Sequence, residues 1–223
     1  MDTRLKHPFR MIIGGPSESG KTSFVKRFLQ HLSDMVNPVP TKILYFYSMT
    51  QPAYEEMSAF HHDISFIQGL PSSDIETLLD KRYQNLIILD DMMTEIADNP
   101  TIGNLFLRGS HHLNLSVIFL MQNIFPKGKQ CRNISLNASY MVLFRNPRDK
   151  AQIGTLARQM YPGNARFLID CFEDATSQAY AYLFLDLRTT TPEALKLRTN
   201  IFPGEQCYVY LPPGKSYLTN MIK

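Results

Sequence analysis

Met11–Ser23 reads MIIGGPSESGKTS, an apolar segment that runs through a glycine-rich loop into a helical pattern. Within it, Gly15-Pro16-Ser17-Glu18-Ser19-Gly20-Lys21-Thr22 fits G-x-x-x-x-G-K-[ST], the spacing of a phosphate-binding loop. Glycines at these positions let successive backbone N–H groups curl around an anion, and the following helix offers its own unpaired N-terminal donors. Lys21 is placed to reach the β- and γ-phosphates of a nucleotide such as ATP. The Thr22 hydroxyl is placed to ligate Mg²⁺, and Ser23 completes the binding segment.

Outward from this loop, apolar runs alternate with helical patterns. Phe9–Ile13 reads as a buried strand, and Lys21–Leu32 as the helix after the loop, with Phe24, Val25, Phe28, Leu29 and Leu32 on one stripe. Asn37-Pro38-Val39-Pro40 breaks the chain. Strands are expected at Lys42–Tyr47, Ile64–Ile67, Leu86–Asp91, Leu115–Met121, Tyr140–Phe144 and Tyr180–Leu187, with terminal strands at Lys196–Phe202 and Cys207–Leu211. Helices are expected over Gln51–Phe60, Asp74–Tyr83, 101–112, 149–160 and 164–174, and a basic loop over Phe125–Arg132. Near-continuous apolar strands interleaved with helices describe an α/β fold, a mostly parallel sheet with helices on both faces. The expected organisation is one domain over residues 1–223, with a short tail from about residue 212.

The bulk properties are those of an ordinary globular chain: 44% hydrophobic, 19% charged, with a formal net charge of +3. That charge is too small to argue nucleic-acid binding by itself, so any such surface has to be local. The three cysteines, Cys131, Cys171 and Cys207, are widely spaced and form no CxxC pair, which argues against a disulfide framework or a zinc site. No apolar run approaches the ~20 residues that cross a membrane, and MDTRLKHPFR lacks the apolar core of a signal peptide.

Ligands of open α/β sheets lie outside the carboxyl ends of the strands, so residues at strand ends carry the chemistry. Leu86-Ile87-Ile88-Leu89 ends in Asp90-Asp91. Asp90 is the candidate for holding Mg²⁺, and Asp91 for polarising the attacking water; Glu95 is a rival base, and Asp91 could instead cap the segment that follows. Gln122, one residue past LSVIFLM, is an amide able to hydrogen-bond a γ-phosphate or the lytic water.

These residues together resemble the FtsK/HerA superfamily of DNA-pumping P-loop ATPases, and within it the viral genome-packaging ATPases of the poxvirus, Polinton/Maverick and adintovirus kind. The resemblance runs from His7 through at least Arg148 and rests on GGPSESGKTS, LIILDDM and RGSHHLNLSVIFLMQNIF. It implies a RecA-like core, a homo-oligomeric ring, and ATP-driven movement of double-stranded DNA into a capsid, with a capsid or portal protein as partner. It places the protein in the host nucleus, a cytoplasmic virus factory or the virion, neither secreted nor in a membrane. Two departures stand out. Many members carry Asp-Glu where this chain has Asp90-Asp91, a loss of about 1.5 Å of reach. The arginine finger is expected on the helix before the glutamine strand, where this chain has His111; Arg108 lies three residues earlier on the same helical face and is the candidate for reaching a neighbour's nucleotide. For DNA, Lys127, Lys129 and Arg132 are the candidate phosphate contacts, with Arg145, Arg148 and Lys150 a second basic group. Two rival functions share the loop: a small-molecule kinase, although no arginine-rich lid follows the core, and a nucleotide-gated scaffold with weak hydrolysis.

Overall fold

Apolar runs long enough to bury both faces of a strand set the architecture. The computed structural model describes residues 2–60, 63–70, 75–92, 113–125 and 129–212. In chain order its elements are β1 (Leu5–Lys6), β2 (Arg10–Gly14), α1 (Lys21–Gln30), α2 (Leu32–Met35), β3 (Val36–Asn37), β4 (Lys42–Tyr47), α3 (Ala53–Phe60), β5 (Ile64–Gln68), α4 (Ile75–Leu78) and β6 (Asn85–Asp90). They continue with β7 (Leu115–Met121), α5 (Lys129–Leu136), β8 (Tyr140–Phe144), α6 (Ala151–Met160), α7 (Ala165–Ala175), β9 (Tyr182–Asp186), β10 (Leu197–Thr199) and β11 (Tyr208–Val209).

Among the described residues nine strands form one sheet, in the order β11-β10-β9-β8-β2-β7-β6-β4-β5. From β8 to β5 every pairing is parallel, while β9, β10 and β11 extend the other edge antiparallel. A small parallel pair, β1 with β3, stands apart. Alternation along each strand divides the core in two. Met11, Ile13, Tyr45, Ile88, Leu120 and Phe144 face α1 and its stripe of Phe24, Val25 and Phe28. Ile12, Phe46, Leu89, Phe119, Met121 and Leu143 face the opposite way, against Leu156 of α6 and Leu168 and Phe172 of α7. The antiparallel edge is pinned by Asp186, which is 1% exposed and takes a bidentate contact from Arg188.

Several expected elements differ. In place of a helix over Asp74–Tyr83, the described helix ends at Leu78, because Asp80 takes the Arg82 N–H onto its carboxylate and turns the chain. Part of the expected basic loop is helical instead: α5 starts at Lys129, buries Ile134, and is closed by Asn137, whose amide donates to the Asn133 carbonyl. The strand expected over Lys196–Phe202 stops at Thr199, since Asn200 adopts φ 54° and swings the chain away. The helix expected over 101–112 and, beyond residue 212, the expected tail lie outside the described residues.

Candidate nucleotide site at the carboxyl edge of the sheet

The strand order brings the separate sequence motifs to one edge. β7 lies between β2 and β6, so Gln122 emerges between the phosphate loop and Asp90-Asp91. The loop is tied to this neighbour at its first residue, where the Gly15 N–H donates to the Met121 carbonyl at 3.1 Å. A Cβ on Gly15 would lie 2.7 Å from both Phe144 Cβ and Ser19 Oγ, which is why no side chain fits there. Gly20 hands the loop over to α1 at φ 106°, a left-handed conformation that glycine adopts freely. At the α1 N-terminus no side chain caps the helix and no acidic residue occupies its first turn. Its free donors and positive dipole end therefore face the loop, an arrangement suited to an anion.

Lys21 is buried and donates from Nζ to the carbonyls of Gly15 and Pro16, both at 2.8 Å. Burial pushes its pKa down, and the nearby Asp91 and Asp90 charges oppose that shift. The Thr22 hydroxyl makes no hydrogen bond among the described residues.

The two aspartates are held differently. Asp90 is 3% exposed, and its Oδ2 accepts from the hydroxyls of Tyr45 at 2.7 Å and Tyr54 at 3.2 Å. Burial raises its pKa, and the two tyrosine bonds work against that rise. Its Oδ1 has no protein partner among the described residues. Asp91 is exposed and sits at φ 53°. Gln122 Nε2 donates to both Asp91 oxygens, at 3.0 and 3.3 Å. Behind this edge, Gln152 of α6 accepts from the Ile124 N–H at 2.9 Å and donates to Asp149 at 2.7 Å, tying the segment after Gln122 to the loop after β8.

The donor set tests whether Mg²⁺ fits. The Thr22 hydroxyl and Asp90 Oδ1 are hard oxygen donors without partners among the described residues. No group of three or more metal-ligating side chains occurs among the described residues. That sparse oxygen set fits Mg²⁺, which keeps several waters and takes few protein ligands.

A cavity of about 640 Å³ opens behind the loop, lined by Gly14, Gly15, Gln122, Arg145, Phe172 and Thr176 among others. The structure thus brings Lys21, Asp90, Asp91 and Gln122 to one edge with Gly15–Ser23. Arg108, Glu95, His111 and Lys127 lie outside the described residues. Lys129 begins α5, Arg132 is exposed on the same helix, and Arg145, Arg148 and Lys150 are exposed in the loop after β8. Tyr45 reads in sequence as a core residue. It is one, but its hydroxyl and that of Tyr54 also engage Asp90, a partnership that nothing local in the sequence signals. Among the described residues no helix is long and apolar enough to cross a membrane.

Solved structures share the fold at low sequence identity. B204, the DNA-packaging ATPase from Sulfolobus turreted icosahedral virus, matches with a TM-score of 0.60 and 13% identity, over 92% of this chain and 98% of B204. The genome-packaging NTPase B204 from Sulfolobus turreted icosahedral virus 2, in complex with ATP-gammaS, matches with a TM-score of 0.56 and 14% identity, over 92% and 97% of the two chains. The cytoplasmic domain of EssC matches with a TM-score of 0.51 and 13% identity, over 93% of this chain and 41% of that one. No curated protein matches the chain in sequence. The family model described as poxvirus A32 protein matches residues 1–160, more than two thirds of the 223-residue chain. The chain therefore belongs to the poxvirus A32 protein family and is a P-loop ATPase of α/β fold.

Proposed function

We propose that this protein is an ATP-hydrolysing motor that drives double-stranded viral or transposon DNA into a capsid. The observation that carries the reading is the Gln122–Asp91 contact beside the lysine-bearing loop: a strand-end amide already holding the carboxylate that would act on water. Family membership and the fold shared with B204 support packaging as the task.

In this reading, the backbone donors of Gly15–Gly20 and the α1 N-terminus receive the β- and γ-phosphates of ATP. Lys21 exchanges the Gly15 and Pro16 carbonyls for phosphate oxygens. Thr22 and Asp90 would hold Mg²⁺, which when bound offsets the charge developing on the phosphates. Tyr45 and Tyr54 fix Asp90 through Oδ2 and leave Oδ1 for this duty. Asp91 takes the proton of the attacking water, and Gln122 orients that water. Arg108 reaches the nucleotide of a neighbouring subunit in a ring, a contribution of ~10³–10⁵ in rate. Lys127, Lys129 and Arg132 track the DNA backbone without reading sequence. Residues 1–223 act as one ATPase domain with a tail from about residue 212, working with a capsid or portal protein in the nucleus, the virus factory or the virion.

The test is ATPase rate per subunit against protein concentration, with and without linear double-stranded DNA, at low and high salt. A ring motor gives a rate that rises with concentration and rises again with DNA, most at low salt. A flat rate that ignores DNA overturns the motor reading and favours the kinase or the scaffold. Mixing Arg108→Ala with Lys21→Ala subunits should restore turnover through mixed interfaces; no recovery at any ratio removes Arg108 from the trans role.

A further inference from the structure

The turn after α7 places an aromatic ring where turn chemistry asks for glycine. The helix closes at Thr176, whose hydroxyl and amide both donate to the Phe172 carbonyl. The Ala181 N–H then donates to the Gln178 carbonyl, making a four-residue turn whose third residue is Tyr180, at φ 63°. Turns with positive φ at that position favour Gly or Asn, and a bulky residue there is an outlier. Packing does not repay the conformation. Tyr180 is 71% exposed and outside the ring-on-ring cluster of Phe24, Phe144, Tyr182 and Phe202.

The conformation does set the ring's position. A Cβ built on Gly20 would lie 3.3 Å from Tyr180 Cδ1, so the ring stands against the last glycine of the phosphate loop. Beside it lies a cavity of about 420 Å³, lined by Glu18, Ser19, Arg145, Pro147, Ser177 and Tyr180. Arg145 is exposed and has no hydrogen bond or ion pair among the described residues. The buried Ser19 Oγ has no partner either.

We infer that this cavity is the nucleobase subsite, with a purine stacked on Tyr180 and the Arg145 guanidinium against the π-system. The inference rests on the reading of Gly15–Ser23 as a triphosphate site. Both groups act on the face of a base, through stacking and cation–π contact, and neither reads its edge. The subsite therefore favours purines over pyrimidines and separates ATP from GTP only weakly.

The test is equilibrium binding of ATP, GTP, CTP and inorganic tripolyphosphate, with Mg²⁺, to the parent protein, Tyr180→Gly and Tyr180→Phe. Glycine suits the turn, so Tyr180→Gly folds with an unfolding temperature at or above that of the parent. It should bind ATP and GTP about tenfold or more weakly and tripolyphosphate unchanged, while Tyr180→Phe retains parental ATP affinity. Parental ATP affinity in Tyr180→Gly overturns the subsite. So does an equal loss for ATP and tripolyphosphate, which would mean that Tyr180 only shapes the loop. So does CTP binding as tightly as ATP to the parent. If the parent binds neither ATP nor tripolyphosphate, the phosphate-loop reading itself fails, and that outcome is distinct from the others.

Discussion

The two edges of the parallel sheet use similar polar residues to opposite ends. At the amino edge, His7 Nε2 donates to the Asn114 carbonyl at 3.1 Å, and its Nδ1 lies 2.6 Å from the Ser116 hydroxyl. That same Ser116 oxygen accepts the Phe9 N–H at 2.9 Å. Nearby, the Asn85 amide donates to the carbonyls of Asp80, Tyr83 and Leu113. These bonds join β2, β6 and β7 from below and keep both imidazole nitrogens of His7 engaged. At the carboxyl edge the groups gathered around the loop have capacity to spare: among the described residues Asp90 Oδ1 and the Thr22 hydroxyl have no protein partner, and Lys21 holds carbonyls it can exchange. Serine and histidine lie 2.6 Å apart at the amino edge, yet that pair is a structural clasp, because the serine oxygen already serves a backbone amide. Residue type alone does not make a site: at the amino edge the serine and histidine are spent on one another and on the backbone, while the Asn85 Oδ1 left without a partner there is a lone amide oxygen.

Substitutions should separate the two edges cleanly. The largest effect is expected for Asp91→Asn, which removes the carboxylate proposed as the base from an exposed side chain. Turnover should fall by ~10²-fold or more, with the denaturant midpoint unchanged; parental turnover would transfer the role to Glu95. Next, Tyr54→Phe deletes one of the two donors on Asp90 Oδ2. Hydrogen bonds to charged groups contribute about 1.5–3 kcal/mol, so the Mg²⁺ concentration for half-maximal ATPase should rise several-fold; an unaltered Mg²⁺ profile would leave Tyr45 as the sufficient anchor. At the amino edge, Ser116→Ala strands the Phe9 amide and should cost about 1–3 kcal/mol in urea unfolding, while kcat stays at the parental value. A fall in kcat without a fall in stability would erase the distinction between the edges.

The smallest expected effect is one of pH. Burial holds the His7 pKa below its ordinary 6.5, so the folded protein binds a proton there less readily than the unfolded chain. As pH falls through about 6.5 the unfolded chain binds a proton there before the folded chain does, so acid favours unfolding. The contribution is fully present above that pH and declines below it. Unfolding midpoints measured at about pH 7.5 and about pH 5.5 should therefore differ less for His7→Gln than for the parent.

The sheet was legible in the sequence wherever a strand is buried on both faces. Lys42–Tyr47, Leu115–Met121 and Tyr140–Phe144 match at both ends, because an apolar run bounded by polar residues has few other places to go. Helix α5 was not legible: KQCRNISL is mostly polar, and its ending depends on Asn137, beyond the segment itself. The phosphate loop and the strand-end residues Asp90, Asp91 and Gln122 stood out because their spacing is local. Tyr54 did not, since it meets Asp90 from 36 residues away through a helix that only the fold brings near. Nor did Tyr180, which reads as the start of the strand YAYLFLD and is set apart only by its backbone angle.

The position of β2 in the sheet has a mechanical consequence. Along Arg10–Gly14 it pairs with β7, and along Met11–Gly14 with β8 as well, so most of the strand is hydrogen-bonded on both sides. Tension applied along it loads those parallel ladders in shear, and their bonds have to give way together instead of peeling one by one. Among the described residues the outermost strand, β11, pairs only through Tyr208 and Val209, and to β10 alone. The phosphate loop is thus mounted on a strand held from both sides, an anchorage that the edge strand β11 lacks.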